Sequence, residues 1–101
     1  MASVQMTGAE VDFTAPAGTT VGLHRFFLTP SGGGTPITLD AQGLTVTFVN
    51  VAAMDYHTSC ATLDANTGAQ IGPTANGPDI PVSAFSTPVR IVGTLTVTVT
   101  P

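Results

Sequence analysis

Apolar and polar residues alternate along most of this chain with the period of two that marks half-buried β-strands, and nowhere with the period of an amphipathic helix. The clearest stretch is Leu44 to Gly72. Leu44, Val46 and Phe48 alternate with Thr45, Thr47 and Val49, and after the corner Val51-Ala52-Ala53-Met54 a second strand begins. There Tyr56, Thr58, Cys60 and Thr62 share one face, while His57, Ser59, Ala61 and Leu63 share the other. Asp64-Ala65-Asn66-Thr67-Gly68 then supplies the Asn and Gly that a tight reversal needs.

Taken from the start, Val4 and Met6 predict a first strand, Gly8 a bend or bulge, and Val11 and Phe13 a second strand ended by Pro16. The run Val21 to Leu28 is apolar except at His24 and Arg25, which predicts a central strand covered on both faces. A loop of turn formers, Thr29 to Pro36 with Gly33 at its centre, leads to a short strand at Ile37-Thr38-Leu39. Gly72 to Pro81, with Pro73, Pro78 and Pro81, reads as irregular, and Val82 to Phe85 as a brief pairing. Ile91, Gly93, Leu95, Val97 and Val99 alternate with Thr94, Thr96, Thr98 and Thr100, which predicts one long last strand. Its threonine face is expected in solvent or against a neighbour. Seven or eight such strands at roughly ten-residue spacing, with turns between them, predict an all-β, antiparallel sandwich.

The 101 residues suit one domain that buries roughly two-thirds of its unfolded surface. Only 8% are charged, Lys is absent, and Arg25 and Arg90 are the only cations in a chain of net charge −4. Phosphate backbones are bound by clustered Lys and Arg, so nucleic acid is not an expected partner. No apolar run approaches the roughly 20 residues of a bilayer span, so no membrane partner is expected either. A surface this poor in charge also lacks the lysines that protect sheet edges, which leaves open cover by neighbouring proteins or a plain Thr-rich module.

Cys60 is the sole cysteine and no secretory leader opens the sequence, so synthesis in a reducing cytoplasm is expected. Asp55 and His57, two apart on a strand, could offer two metal ligands, but zinc sites use at least three protein ligands and no third is signalled. Cys60 and His57 point to opposite faces, so a thiol-imidazole pair is not expected and Cys60 is assigned to the core. Glu10 and Asp12 share a face without a pocket around them and read as solvated edge charges. Ser31-Gly32-Gly33-Gly34 lacks the helix and Lys of a phosphate cradle. No cofactor is expected.

The segment Asp55 to Gly68 resembles the penultimate strand and following turn of fibronectin type III-like and bacterial immunoglobulin-like domains. The resemblance makes Tyr56 a tyrosine corner, its hydroxyl bonded back to backbone just upstream. Phe13-Thr14-Ala15-Pro16 is similar to the family's aromatic-x-Ala-Pro strand end, with Phe where Trp is usual. It implies an immunoglobulin-like sandwich in which Tyr56, Cys60, Phe48 and Phe13 are structural.

Thr-, Gly- and Val-rich chains of this kind, without Lys, look like the immunoglobulin-like proteins that tailed bacteriophages display. The resemblance implies a non-enzymatic virion protein, made in host cytoplasm, that decorates the capsid. Its partners would be the major capsid protein, other virion proteins and copies of itself. Contacts are expected from the Gly33 loop, from Pro78, Pro81 and an exposed Phe85, and from pairing through the terminal strands Met1 to Met6 and Ile91 to Pro101. The alternative is a carbohydrate- or cell-surface-binding module from a longer tail-fibre or extracellular protein.

Overall fold

A computed structural model describes residues 1–8 and 13–101. Among these residues eight strands form: β1 (Ala2–Thr7), β2 (Leu23–Pro30), β3 (Ile37–Ala41), β4 (Thr45–Val51), β5 (Tyr56–Leu63), β6 (Gln70–Asn76), β7 (Val89–Ile91) and β8 (Thr96–Thr100). They make two four-stranded antiparallel sheets, in the orders β4-β1-β8-β7 and β3-β2-β5-β6. The all-β sandwich predicted from the alternation is therefore the architecture found.

The core lies where the alternation points inward. Val4 and Met6 of β1, Val46 and Phe48 of β4 and Val97 and Val99 of β8 face Phe26 and Leu28 of β2 and Tyr56 and Cys60 of β5. Each large side chain so buried contributes about 1.5–3 kcal/mol relative to exposure. Gly8 ends β1 against this core: its N–H donates to the Leu44 carbonyl at 2.7 Å. A Cβ there would lie 3.3 Å from Leu95 Cδ2 and 3.6 Å from Phe26 Cε2.

Four expectations change. The β2 strand starts only at Leu23, and its inner face alone is buried, because Arg25 and Phe27 lie on the outer side of the sheet, where cover is only partial. The predicted long last strand is a hairpin: β7 folds back on β8, pairing Val89 with Val99 and Ile91 with Val97. The turn at Val92 to Leu95 preserves the alternation, so Ile91 and Val97 both face inward and the break leaves no mark except Gly93. The region after Gly72 is not irregular throughout. It continues as β6, where Pro73 is tolerated because β6 is an edge strand and a ring nitrogen there costs no interior ladder bond. Finally, among the described residues β1 and β8 are interior strands, so of the two terminal segments only Ile91, the last residue of β7, lies on an open edge. The open edges belong to β3, β4, β6 and β7.

The second early strand expected at Val11 to Phe13 falls largely on residues 9–12, outside the described residues, as do Glu10 and Asp12. Phe13 itself is in no strand. Its ring lies where a Cβ on Gly72 would be, 2.9 Å from Cε1, so it covers the outer face of the β3-β2-β5-β6 sheet. Ala61 and Leu63 lie beside it on that face and are buried as well.

Candidate functional site

The corner between β4 and β5 gathers the side chains that drew attention as chemistry. The Tyr56 hydroxyl donates to the Ala52 carbonyl at 2.8 Å. Its backbone exchanges two hydrogen bonds with Ile80, at 2.9 and 2.8 Å. The phenol is buried, which raises its pKa above the ordinary value. Beside it, Asp55 does not meet His57 as a ligand partner. One Asp55 carboxylate oxygen accepts the Val82 N–H at 2.6 Å and so starts the short 3-10 helix Val82–Phe85. His57 turns outward to Asp79, Nδ1 to Oδ1 2.7 Å, with both side chains more than half exposed. A pair that open to water contributes little.

Cys60 faces the core and His57 faces solvent, so thiol and imidazole lie on opposite sides of β5. Burial pushes the Cys60 thiol up to about 11, which keeps it protonated and unreactive at neutral pH. Among the described residues, no three His, Cys, Asp or Glu side chains gather where they could hold one metal ion.

The residues expected to make contacts divide. Phe85, predicted as an exposed anchor, is only 8% exposed: the 3-10 helix turns Ala84 and Phe85 inward, and the Phe85 ring sits 6.1 Å from that of Tyr56. The apolar side chain left outside by the same turn is Val82, 51% exposed. Pro78 is half-buried. Its carbonyl accepts the buried Thr58 hydroxyl at 2.6 Å, and its ring packs beside Gly93. Pro81 is exposed ahead of the 3-10 helix, and Gly33 is exposed in its loop at φ 98°, a conformation that favours glycine.

Thr58 and Asp64 are buried polar side chains whose partners the alternation does not mark. Asp64 is a buried carboxylate that accepts the Asn66 N–H at 2.9 Å, the Thr20 N–H at 3.1 Å and the Thr67 hydroxyl at 3.1 Å. These bonds hold its carboxyl below the usual range. It closes the β5–β6 turn and ties the crossover from β1 to that turn. The Asp-x-Asn-Thr-Gly spacing carries the local half of this signal, since Asp commonly accepts from the backbone two residues on. The Thr20 half has no sequence signature.

Two surface features remain. A shallow apolar groove of about 320 Å³ lies between Met1, Val51, Ala53, Phe85 and Pro101 at the end where both termini emerge. The outer face of the β4-β1-β8-β7 sheet is made mainly of hydroxyls, with the Gln5 amide and the exposed Val49 among them. Register aligns Thr45, Thr7 and Thr96 in one row, Thr47, Gln5 and Thr98 in the next, and Ser3 beside Thr100. Thr7 and Thr45 hydroxyls lie 3.1 Å apart. Arg90, opposite Thr98, brings the one charge to these rows. No described helix is long and apolar enough to cross a membrane. No family profile, curated protein or solved structure matches the chain.

Proposed function

We propose that this chain is a non-enzymatic structural protein of a virion, a bacteriophage capsid decoration protein that binds the shell surface. The observation that carries the reading is the outer face of the β4-β1-β8-β7 sheet. It is rich in Ser, Thr and Gln, and among the described residues Arg90 is its one charge. Covering such a face strips water from almost no charge, the costliest part of burying polar surface, and each hydroxyl can exchange a water partner for a protein one.

The immunoglobulin-like part of the reading is supported by strand order together with the Tyr56 corner. The sheet β6-β5-β2-β3 follows the order G-F-C-C′ of immunoglobulin sandwiches, and β8-β1-β4 follows A-B-E, with the tyrosine at the start of the F position. The place of strand A is then taken by β8, from the other end of the chain. The glycan-binding alternative has less support, because Phe26, Phe48, Tyr56 and Phe85 point into the core and the two outer-face aromatics, Phe13 and Phe27, are half-buried; sugar rings stack on exposed aromatic faces.

The test is addition of purified protein to assembled shells lacking it, followed by sedimentation. Saturable binding at a fixed ratio to the major capsid protein, weakened by a Gln5→Lys/Thr98→Lys pair on the sheet face, is the expected result. Absence of saturable binding to shells, with specific binding on a glycan array, would replace this reading with the alternative.

A further inference from the structure

We propose that β3 is a self-association edge, through which two copies pair antiparallel about a two-fold axis at Leu39 and join two four-stranded sheets into one eight-stranded sheet. Sheet edges present unpaired backbone groups, and proteins usually blunt them with Pro, bulges, charge or brevity. Three of the four edges here are blunted. β6 carries Pro73 and a register shift. β7 is three residues long, just after Pro88. β4 pairs irregularly near Val51 and holds Asn50 at φ 56°.

The β3 edge is the least protected: Pro36 precedes it and Asp40 lies on it, but no proline or bulge interrupts its five residues. Its five residues run in unbroken register along β2, without proline or positive φ. Among the described residues, nothing pairs with its far side. Ile37 and Leu39 sit opposite the fully buried Leu28 and Phe26 and so face the inner side of the sheet, yet they are 41% and 38% exposed because no strand lies beyond them. The one charge on the strand, Asp40, is already held by its own Arg25 in a two-pronged pair at 2.7 and 2.9 Å.

The occupant follows from the sequence of the edge itself. Ile37-Thr38-Leu39-Asp40-Ala41 reads apolar-polar-apolar-polar-apolar in either direction, so it complements itself when reversed. Pairing about Leu39 sets Leu39 against the partner's Leu39, Ile37 against the partner's Ala41, and the Thr38 hydroxyl against the partner's Asp40 carboxylate. Backbone groups supply the ladder, and the two exposed apolar side chains cover each other. With only five residues a side, the contact falls among small interfaces, so association depends on protein concentration.

Sedimentation of the isolated protein tests this without shells, so it can fail or succeed independently of the virion reading. Wild type is expected to show a monomer–dimer equilibrium. Leu39→Lys is expected to remain monomeric with unchanged far-UV circular dichroism, and Val92→Lys, at an exposed turn away from β3, to dimerise normally. Leu39→Cys gives a second readout that does not depend on weakening anything. Facing Cα atoms in paired strands lie within disulfide range, so mild oxidation should lock that variant into a covalent dimer, while a Val92→Cys variant should not be locked. A wild type that stays monomeric at its highest soluble concentration, a dimer that survives Leu39→Lys, or equal cross-linking at positions 39 and 92 would each overturn the proposal.

Discussion

Replacing Tyr56 with Phe removes one oxygen atom from a ring that otherwise keeps its surroundings. The ring is 1% exposed, the hydroxyl reaches the Ala52 carbonyl at 2.8 Å, and Phe85 stands 6.1 Å away, centroid to centroid. Phenylalanine retains the burial, the aromatic contact and both backbone bonds to Ile80. What disappears is a single hydrogen bond, whose net value is about 0.5–1.5 kcal/mol. Ala52 is half-buried, so water can reach the carbonyl left behind, and the cost should sit near 1 kcal/mol. In a domain of this size that lowers Tm by about 4–8 °C.

Tyr56→Ala removes the whole ring from a closed site and should cost about 3–5 kcal/mol, a large share of a stability of about 5–15 kcal/mol. Urea denaturation followed by far-UV circular dichroism measures both variants. Intrinsic fluorescence cannot serve for them, since Tyr56 is the only tyrosine and the chain has no Trp. An unchanged midpoint for Tyr56→Phe would show that the hydroxyl contributes nothing to folding. Equal losses for Phe and Ala would show that the ring contributes nothing. Either result refutes the assignment of Tyr56 as the anchor of the β4–β5 corner.

Two further predictions concern the core. A Cβ at Gly77 would lie 2.6 Å from Thr58 Oγ1 and 2.9 Å from Leu95 Cβ, so Gly77→Ala must displace the Thr58–Pro78 hydrogen bond and should cost about 1–3 kcal/mol of overpacking plus that bond. Adding Leu95→Ala should cost less than the sum of the two single changes, because it vacates part of the contested space; full additivity in calorimetry would contradict the geometry. On the alkaline side, the folded state holds the Cys60 proton up to about 11 while the unfolded chain releases it near 9.0. Stability should therefore be intact below pH 9.0 and fall as pH rises toward 11, with the raised Tyr56 adding to the fall above 10.0. Cys60→Ala should flatten the first part of that decline, whatever it does to stability at neutral pH. Asp64 has the opposite sign: its lowered carboxyl supports the fold above 3.8, and that support is lost as pH falls below it.

The parts of the fold legible in the sequence are those where one face is wet and the other dry. β4 and the first half of β5 qualify, and Val46, Phe48, Tyr56 and Cys60 all lie inward. β6 was obscured because an edge strand tolerates Pro73 and Gly72, which in a central strand would terminate pairing. The β7–β8 turn was hidden for the opposite reason, since it conserves the alternation it interrupts. Phe85 faces inward against expectation because a 3-10 turn changes which residue of Val82 to Phe85 faces the core, a phase that a two-residue period cannot register. At the corner, Tyr56 was legible through a bond four residues back, whereas the partners of Asp55 and His57 are Val82 and Asp79, more than twenty residues on. Such pairings are set by the crossover between sheets and leave no spacing to read.

The adjacency of β1 and β8 sets how the molecule would bear load. Their antiparallel register places Ser3 opposite Thr100, so both chain ends leave from the same end of one strand pair. Tension applied through the two ends acts across this ladder and opens it one hydrogen bond at a time, like a zipper, instead of shearing all its bonds together. By this geometry the sandwich yields to a smaller pull through its ends than through opposite edges of its sheets, and a tether of either end emerges beside the apolar groove between Met1 and Pro101.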